Sequence, residues 1–435
     1  MKKMWVLFCL MVLFILSACS EDAADLNGSS ENDADNESDD ETVDLTVWTW
    51  PNNDQTFEDI TIPLFQEEYP NINVTVQGFG QDQYADKLSS ALIGGDVPDV
   101  AMVEINDVVN IKNLELFEDL SQEPYNAGEL SEDYLDYFWD YVTNDDGYIF
   151  ALPKNSAPAA MFYNKPIFEE AGLPTDPEGV HELMATWEDY VNVAEDLTVE
   201  GEQWMLGVPP EILNAVTQQA ETAYYNENNE LQIDNEHFMY VYDTVEQLGD
   251  MGAFSPFEQY SPEWNAAIQQ GSIATFLFGN WFGKYLKNNT EGAEGEWGVT
   301  YAPAYLGTSA YDQGGDFIGI PKEGENKDAA WKFVQFVTQN SENLQAMYEQ
   351  DELYPAYLDA VDEDWMNNES SFFGGQVTNE IFQVVAEEMA APYVTENDPV
   401  ATDGVNSMLT NITLGDMEVE QALEQAKQEI EAKTQ

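Results

Sequence analysis

Residues 44–103 read DLTVWTWPNNDQTFEDITIPLFQEEYPNINVTVQGFGQDQYADKLSSALIGGDVPDVAMV, and this stretch decides the fold class. Asp44 to Trp50 alternates Leu, Val, Thr and Trp and stops at Pro51, the pattern of a strand. Asp54 is placed to cap a helix whose apolar face is Phe57, Ile60, Leu64 and Phe65, with Pro63 disturbing its middle. Ile72 to Val76 is a second strand. Tyr84, Leu88, Ala91 and Leu92 mark a second helix, stopped by Gly94-Gly95. Pro98 to Val103 is a third strand. The β-α-β-α-β order predicts an α/β layer architecture with a largely parallel sheet.

The style continues outward. Tyr148–Leu152, Ala159–Tyr163, Met205–Val208 and Ile273–Phe278 read as strands, with weaker ones at Val299–Tyr301 and Phe317–Ile320. Trp187–Leu197 and Ala329–Val337 read as amphipathic helices, and helical patterns dominate after about Ser341. No short-period repeat or internal linker breaks the body, so two α/β lobes joined by short crossovers fit better than separate beads.

Before this body, Lys2 and Lys3 precede an apolar run from Met4 to Leu16, shorter than the roughly 20 residues a spanning helix needs. The pattern is that of a secretory signal. Leu16-Ser17-Ala18-Cys19 resembles the bacterial lipobox, in which Cys19 is lipidated after removal of residues 1–18. Two or more acyl chains, each buried CH2 contributing about 0.8 kcal/mol, then hold the chain at the outer membrane face without spanning it. With Cys9 removed and Cys19 acylated, no thiol is left for catalysis. Glu21 to Asp44 holds eleven acids and no lysine. It reads as a self-repelling, extended tether over 19–44.

The chain of 435 residues has 84 acidic residues against 13 basic ones, all Lys, for a formal charge of −71. The body keeps 73 of those acids and 11 lysines. Such a surface excludes nucleic acid as a partner. The lack of Arg argues against phosphate or carboxylate ligands, which favour its bidentate fork. The large negative charge of the body also suggests a saline or alkaline habitat, in which salt screens the self-repulsion. Two Cys and two His leave no zinc site or disulfide framework. His181 and His237 read as surface residues, and no EF-hand spacing occurs. No cofactor or metal is expected. Carboxylate pairs arise by chance among so many acids, so a glycosidase pair cannot be read from spacing.

Several ordered blocks resemble the extracellular solute-binding proteins of ABC sugar importers, family 1, the maltose-binding-protein-like lipoproteins. Gly94-Gly95-Asp96-Val97-Pro98-Asp99-Val100 is similar to the family's "GD-x-PD" block. Ala151-Leu152-Pro153, Met161-Phe162-Tyr163-Asn164-Lys165 and Ala171-Gly172-Leu173-Pro174 resemble its "glP…lyYNK…aGl" run. Thr186-Trp187-Glu188-Asp189-Tyr190 resembles "TWdE", and Gly271-Ser272-Ile273-Ala274-Thr275 with Gly279-Asn280-Trp281 resembles "GkaAM…g-W". Gly314-Gly315-Asp316 and Ala329-Ala330-Trp331-Lys332-Phe333 resemble its closing pattern. The departures are an insertion at Asp176–Met184 and Thr275 where Met is usual.

The resemblance implies a two-lobed periplasmic-binding-protein-like fold of type II, with a ligand cleft between lobes and a helical C-terminal region. Lobe 1 would be 45–153 with 302–338, and lobe 2 would be 154–301 with 339–435. The crossings would fall near Pro153–Ala157, Tyr301–Pro303 and Thr338–Ser341. It implies a monomeric, non-enzymatic binding protein that captures a neutral sugar or oligosaccharide by hinge closure and delivers it to an ABC permease. A secreted glycoside hydrolase and a surface adhesin are the alternatives.

Sugar recognition needs flat apolar faces and directional polar groups. Ligands in open α/β sheets sit beyond strand carboxyl ends. Trp50 and Asn52 after the first strand, and Glu104 and Asn106 after the third, satisfy that rule. The resemblance adds Glu211, Tyr354, and Trp281 in the turn with Asn280, as the main stacking platform. Gly315 with Asp316 would bring another carboxylate to the cleft.

Overall fold

The computed structural model describes residues 42–144, 146–390, 393–415 and 417–434. The readings of the leader, of Cys19 and of most of the tether lie outside these residues. At the tether's end, Val43 and Asp44 already belong to the first strand, β1 (Val43–Thr49).

The opening β-α-β-α-β unit is present. β1 pairs in parallel with β2 (Ile72–Gly78) and with β3 (Val100–Glu104). Leu45, Val47 and Thr49 of β1 are buried while the alternate residues are half-exposed or exposed, as one covered face requires. The connecting helix starts at Asn53 and ends at Glu68, but widens into a π-helical turn over Phe57–Thr61. Pro63 sits just beyond that turn, where its missing N–H breaks the regular ladder. The second helix, Gln81–Gly94, stops at Gly95, whose φ of 80° is left-handed.

Beyond this unit the sheet is mixed, which corrects the expectation of a largely parallel one. β4 (Ala151–Asn164) is one continuous strand of 14 buried residues where the pattern suggested two. β5 (Trp204–Leu206) and β6 (Ile273–Gly279) form the remaining parallel pair. β7 (Trp297–Thr300), β8 (Asp312–Gly319) and the short β9 (Tyr354–Pro355) all pair antiparallel with β4. The strand path is β2-β1-β3-β8-β4-β6-β5. The first half of β4 lies beside β8, and the second half beside β6 and β7. One strand thus belongs to two sheets. In its second half Ala160 and Phe162 face one core, and Ala159, Met161 and Tyr163 face the other.

The helix Trp187–Leu197 opens with a capping box: Thr186 Oγ1 accepts from the Asp189 amide at 3.2 Å, and the Asp189 carboxylate accepts from the Thr186 amide at 3.2 Å. The Asp176–Met184 insertion is an ordinary helix, Pro177–Leu183, capped by Asp176 and joined to β7 by a Thr300 hydroxyl bond to Pro177 O at 2.8 Å. After Ser341 the described residues are helical apart from β9 and loops, with long helices at Asp398–Thr413 and Val419–Thr434.

Candidate functional site

A cavity of about 530 Å³ opens beside the strands that run between the two sheets. Glu104 and Asn106 reach it from the end of β3, and Tyr137 and Tyr141 from the helix Asp136–Val142. The facing wall is Phe278 in β6, Trp281 just after it, Tyr260, and Gln218 on the helix Pro210–Gln219. Tyr224 and the start of the helix Asp398–Thr413 close one end. None of the lining residues is a lysine.

β8, which lies between β3 and β4, organises this space. In β8, Gly314 and Gly315 take φ of 125° and 148°, and a Cβ on Gly315 would collide with the Phe138 ring. Around these glycines Asp312 and Gln313 make most of the fixing contacts. Gln218 binds the Asp312 backbone from both sides, donating to its carbonyl at 2.7 Å and accepting from its amide at 2.9 Å. Gln313 donates to Leu277 O at 3.0 Å and accepts from the Gly279 amide at 3.3 Å, extending the β6 ladder with a side chain. Its carbonyl accepts the Trp281 indole N–H at 3.0 Å. The indole plane is therefore set before any ligand arrives.

Among the described residues no lysine pairs with either of two carboxyls at the cavity, Asp312 and Glu104. Asp312 accepts from the Tyr137 hydroxyl at 3.3 Å and the Gly314 amide at 3.2 Å, and burial pushes it well above the usual carboxylate range. Glu104 accepts from Asn106 at 2.9 Å. Burial first, then the charges of Asp316 and Asp107, raise it to about 7.

Three of the nine residues expected at the site, Glu104, Asn106 and Trp281, line the cavity. The other six lie elsewhere. Trp50 is buried edge-on against Tyr84, with ring centres 5.4 Å apart. Asn52 is exposed at φ 78° in the turn after β1. Glu211 is buried, accepting from the Val208 amide at 2.9 Å and the Leu277 amide at 2.8 Å, so it ties the helix Pro210–Gln219 to β6. Asn280 is buried and donates to the Glu352 carbonyl. Asp316 is buried beside Lys154. Tyr354 is buried in β9 beside β4. These residues sit at the expected chain positions, but packing turns every one of these side chains except that of Asn52 inward.

Sequence reasoning missed Tyr137, Tyr141, Tyr224, Tyr260, Gln218, Asp312 and Gln313. For Asp312 and Gln313 the signal is the Gly314-Gly315 pair, which marks its N-terminal neighbours as well as Asp316. Tyr260 has φ 65° and is 48% exposed. Nothing in its local sequence marks that conformation. His181 packs on Tyr301 and His237 bonds Tyr305, both outside the cavity. Among the described residues no group of three or more His, Cys, Asp or Glu is placed to hold a metal ion.

Residues 49–343 match the family of bacterial extracellular solute-binding proteins. The chain belongs to that family. A relative named arabinooligosaccharide-binding protein, from Halalkalibacterium halodurans, is 23% identical in an alignment of 416 residues that covers 90% of each chain. Among solved structures, an extracellular solute-binding protein of family 1 superposes with a TM-score of 0.79 at 20% identity, over 90% of this chain and 99% of that one. The sugar-binding protein MalE from Xanthomonas citri gives 0.74 at 20% identity, over 90% and 98%. For this solute-binding protein the likeness establishes the two-lobed type II fold, and β4 is the strand that pairs into both sheets. Among its described residues no helix is long and apolar enough to cross a membrane.

The buried carboxyls give this solute-binding protein a pH signature. Glu211 is raised from its ordinary 4.5 to about 8, because burial outweighs its two backbone hydrogen bonds, and Glu104 to about 7. In the folded state both keep a proton that the unfolded chain has already lost. Their contribution is complete below about pH 4.5 and disappears as pH rises through their folded values. Stability in molar salt, which screens the surface charge, should fall by about 2–5 kcal/mol between about pH 5 and pH 8.5. Denaturant midpoints at the two pH values test this; a flat or rising trend refutes it.

Proposed function

We propose that this protein is the substrate-binding lipoprotein of an ABC importer, capturing a neutral oligosaccharide and handing it on unaltered. The observation that carries the reading is the cavity: the Trp281 indole, fixed by Gln313, beside several tyrosines, amides and carboxyls, with no lysine in its lining. Rings stack on the aromatic faces, and hydroxyls donate to Glu104, Asn106, Gln218 and their neighbours. Arabino-oligosaccharides are the first ligands to examine, in view of what the relative from Halalkalibacterium halodurans is named for.

Lobe 1 in this reading is 45–153 with 302–338, and lobe 2 is 154–301 with 339–435. One refinement concerns the helix Ser341–Asp351, whose Asn343 bonds Val337 O at 3.1 Å and whose Met347 meets Thr61. It packs with lobe 1, so the third crossing belongs nearer Tyr354–Pro355. Sugar contacts to both lobes favour the closed form; a ligand touching only one would shift nothing. Cys19 carries the lipid anchor, which holds the monomer at the outer face of the membrane for delivery to the permease.

Calorimetry with arabino-oligosaccharides, maltotriose and galactobiose tests the binding. At least one is expected to bind with micromolar Kd, about −8 kcal/mol. Chromatography of the same mixtures should recover the sugar intact. Released shorter sugars would replace this reading with the glycoside hydrolase. Mass spectrometry of the membrane-extracted protein tests acylation at Cys19.

A further inference from the structure

The helix Phe282–Asn289 begins directly after Trp281 and carries Lys284 and Lys287, two of only 13 lysines in the chain. Both lysines and the Asn280 amide converge on three consecutive residues, Gln350, Asp351 and Glu352. Asn280 donates to the Glu352 carbonyl, and Lys284 to the Gln350 carbonyl. Lys284 also pairs with Asp351 at 3.7 Å, and Lys287 with the Glu352 carboxylate. The second Asp351 oxygen accepts the Thr56 hydroxyl at 2.6 Å. Glu352, at φ 55°, ends the helix Ser341–Asp351 in a left-handed turn that presents this acceptor set. Gly283 leaves room for it: a Cβ there would collide with the Glu352 carboxylate.

The two partners belong to different sheets. Phe282 stacks on Phe278 of β6 with ring centres 4.4 Å apart. The helix Ser341–Asp351 instead packs on Val337 and Thr61, over the first sheet. The contacts therefore join the wall carrying Trp281 to the cover of the opposite sheet, just before β9. We propose that Asn280, Lys284 and Lys287 form an ionic clasp that positions the Trp281 platform, so that affinity for an uncharged sugar depends on ionic strength. The affinity part rests on the sugar-binding reading above.

The four charged side chains are 18–34% exposed, so salt reaches them. The rest of the surface works in the opposite direction. Salt relieves repulsion between two acidic lobes and should tighten closure. The clasp therefore shows in the ratio of variant to wild-type Kd, from which the general field cancels.

The test uses the full-length protein with arabinotriose and maltotriose, at low salt and at about 1 M. Lys284→Gln/Lys287→Gln is expected to bind about five- to tenfold more weakly than wild type at low salt, with the gap closing at high salt. Gly283→Ala, which favours helix but displaces the Glu352 carboxylate, should reproduce the loss. Lys284→Arg/Lys287→Arg should restore affinity. Lys427→Gln/Lys433→Gln, with the same charge change on the C-terminal helix, should bind as wild type does. Without sugar, small-angle scattering should give a larger radius of gyration for the glutamine variant at low salt only. Equal affinities, a gap that ignores salt, or identical scattering curves would overturn the clasp. If no sugar binds wild type, the binding reading fails and the scattering curves alone decide the clasp.

Discussion

Replacing Trp281 with alanine is expected to weaken sugar binding by more than tenfold while leaving the fold intact. Trp281 lies in the cavity wall, partly exposed, with its edge held by the Gln313 carbonyl at 3.0 Å. A tenfold loss is about 1.4 kcal/mol, within what one preorganised aromatic platform contributes through stacking and buried area. Trp281→Phe keeps a ring but loses the bond to Gln313, so its loss should be intermediate. Calorimetric Kd values for the three proteins, with unchanged denaturant midpoints, are the measurement. An alanine variant that binds as tightly as wild type removes Trp281 from the site.

Asp316→Ala should produce the largest change in stability, about 3–5 kcal/mol. Lys154 is wholly buried on β4, and Asp316 lies 3.8 Å away on the adjacent β8. The ammonium also donates to Asn53 Oδ1 at 3.0 Å and Asn155 Oδ1 at 3.1 Å. Burial lowers the Lys154 pKa and raises that of Asp316, so desolvation outweighs their attraction. Such a pair adds little net stability, yet breaking it leaves a buried ammonium facing two neutral amide oxygens in place of its counter-ion. The double variant Lys154→Met/Asp316→Leu should therefore regain much of what the single variant loses. Guanidinium unfolding of the three proteins checks this. An Asp316→Ala variant that unfolds at the wild-type midpoint would refute a structural role for this pair.

The same pair explains why Asp316 was legible as a carboxylate near the cleft and not as a structural one. Its partner Lys154 lies 162 positions away in the chain, and no local pattern links them. Glu211 and Asn280 behave alike: each follows the end of a strand or opens a helix, where ligand groups collect, but Glu211 spends both oxygens on the Val208 and Leu277 amides, and Asn280 spends its amide nitrogen on the Glu352 carbonyl. Reading β4 as two strands has a similar origin. Its middle, Pro153 to Pro158, looks like a break locally, and it is held extended only because β8 and β9 pair with it.

What the sequence determined alone was the α/β class, the order of the first three strands and two helices, and the family. These rest on periodicity, caps and glycine stops, whose causes act within a few residues. The mixed sheet, the Asp312–Gln313 brace under Trp281 and the tyrosines of the cavity were decided by tertiary structure. They depend on which distant segments pack together, and burial and hydrogen bonding then decide which side chains remain free to meet a ligand.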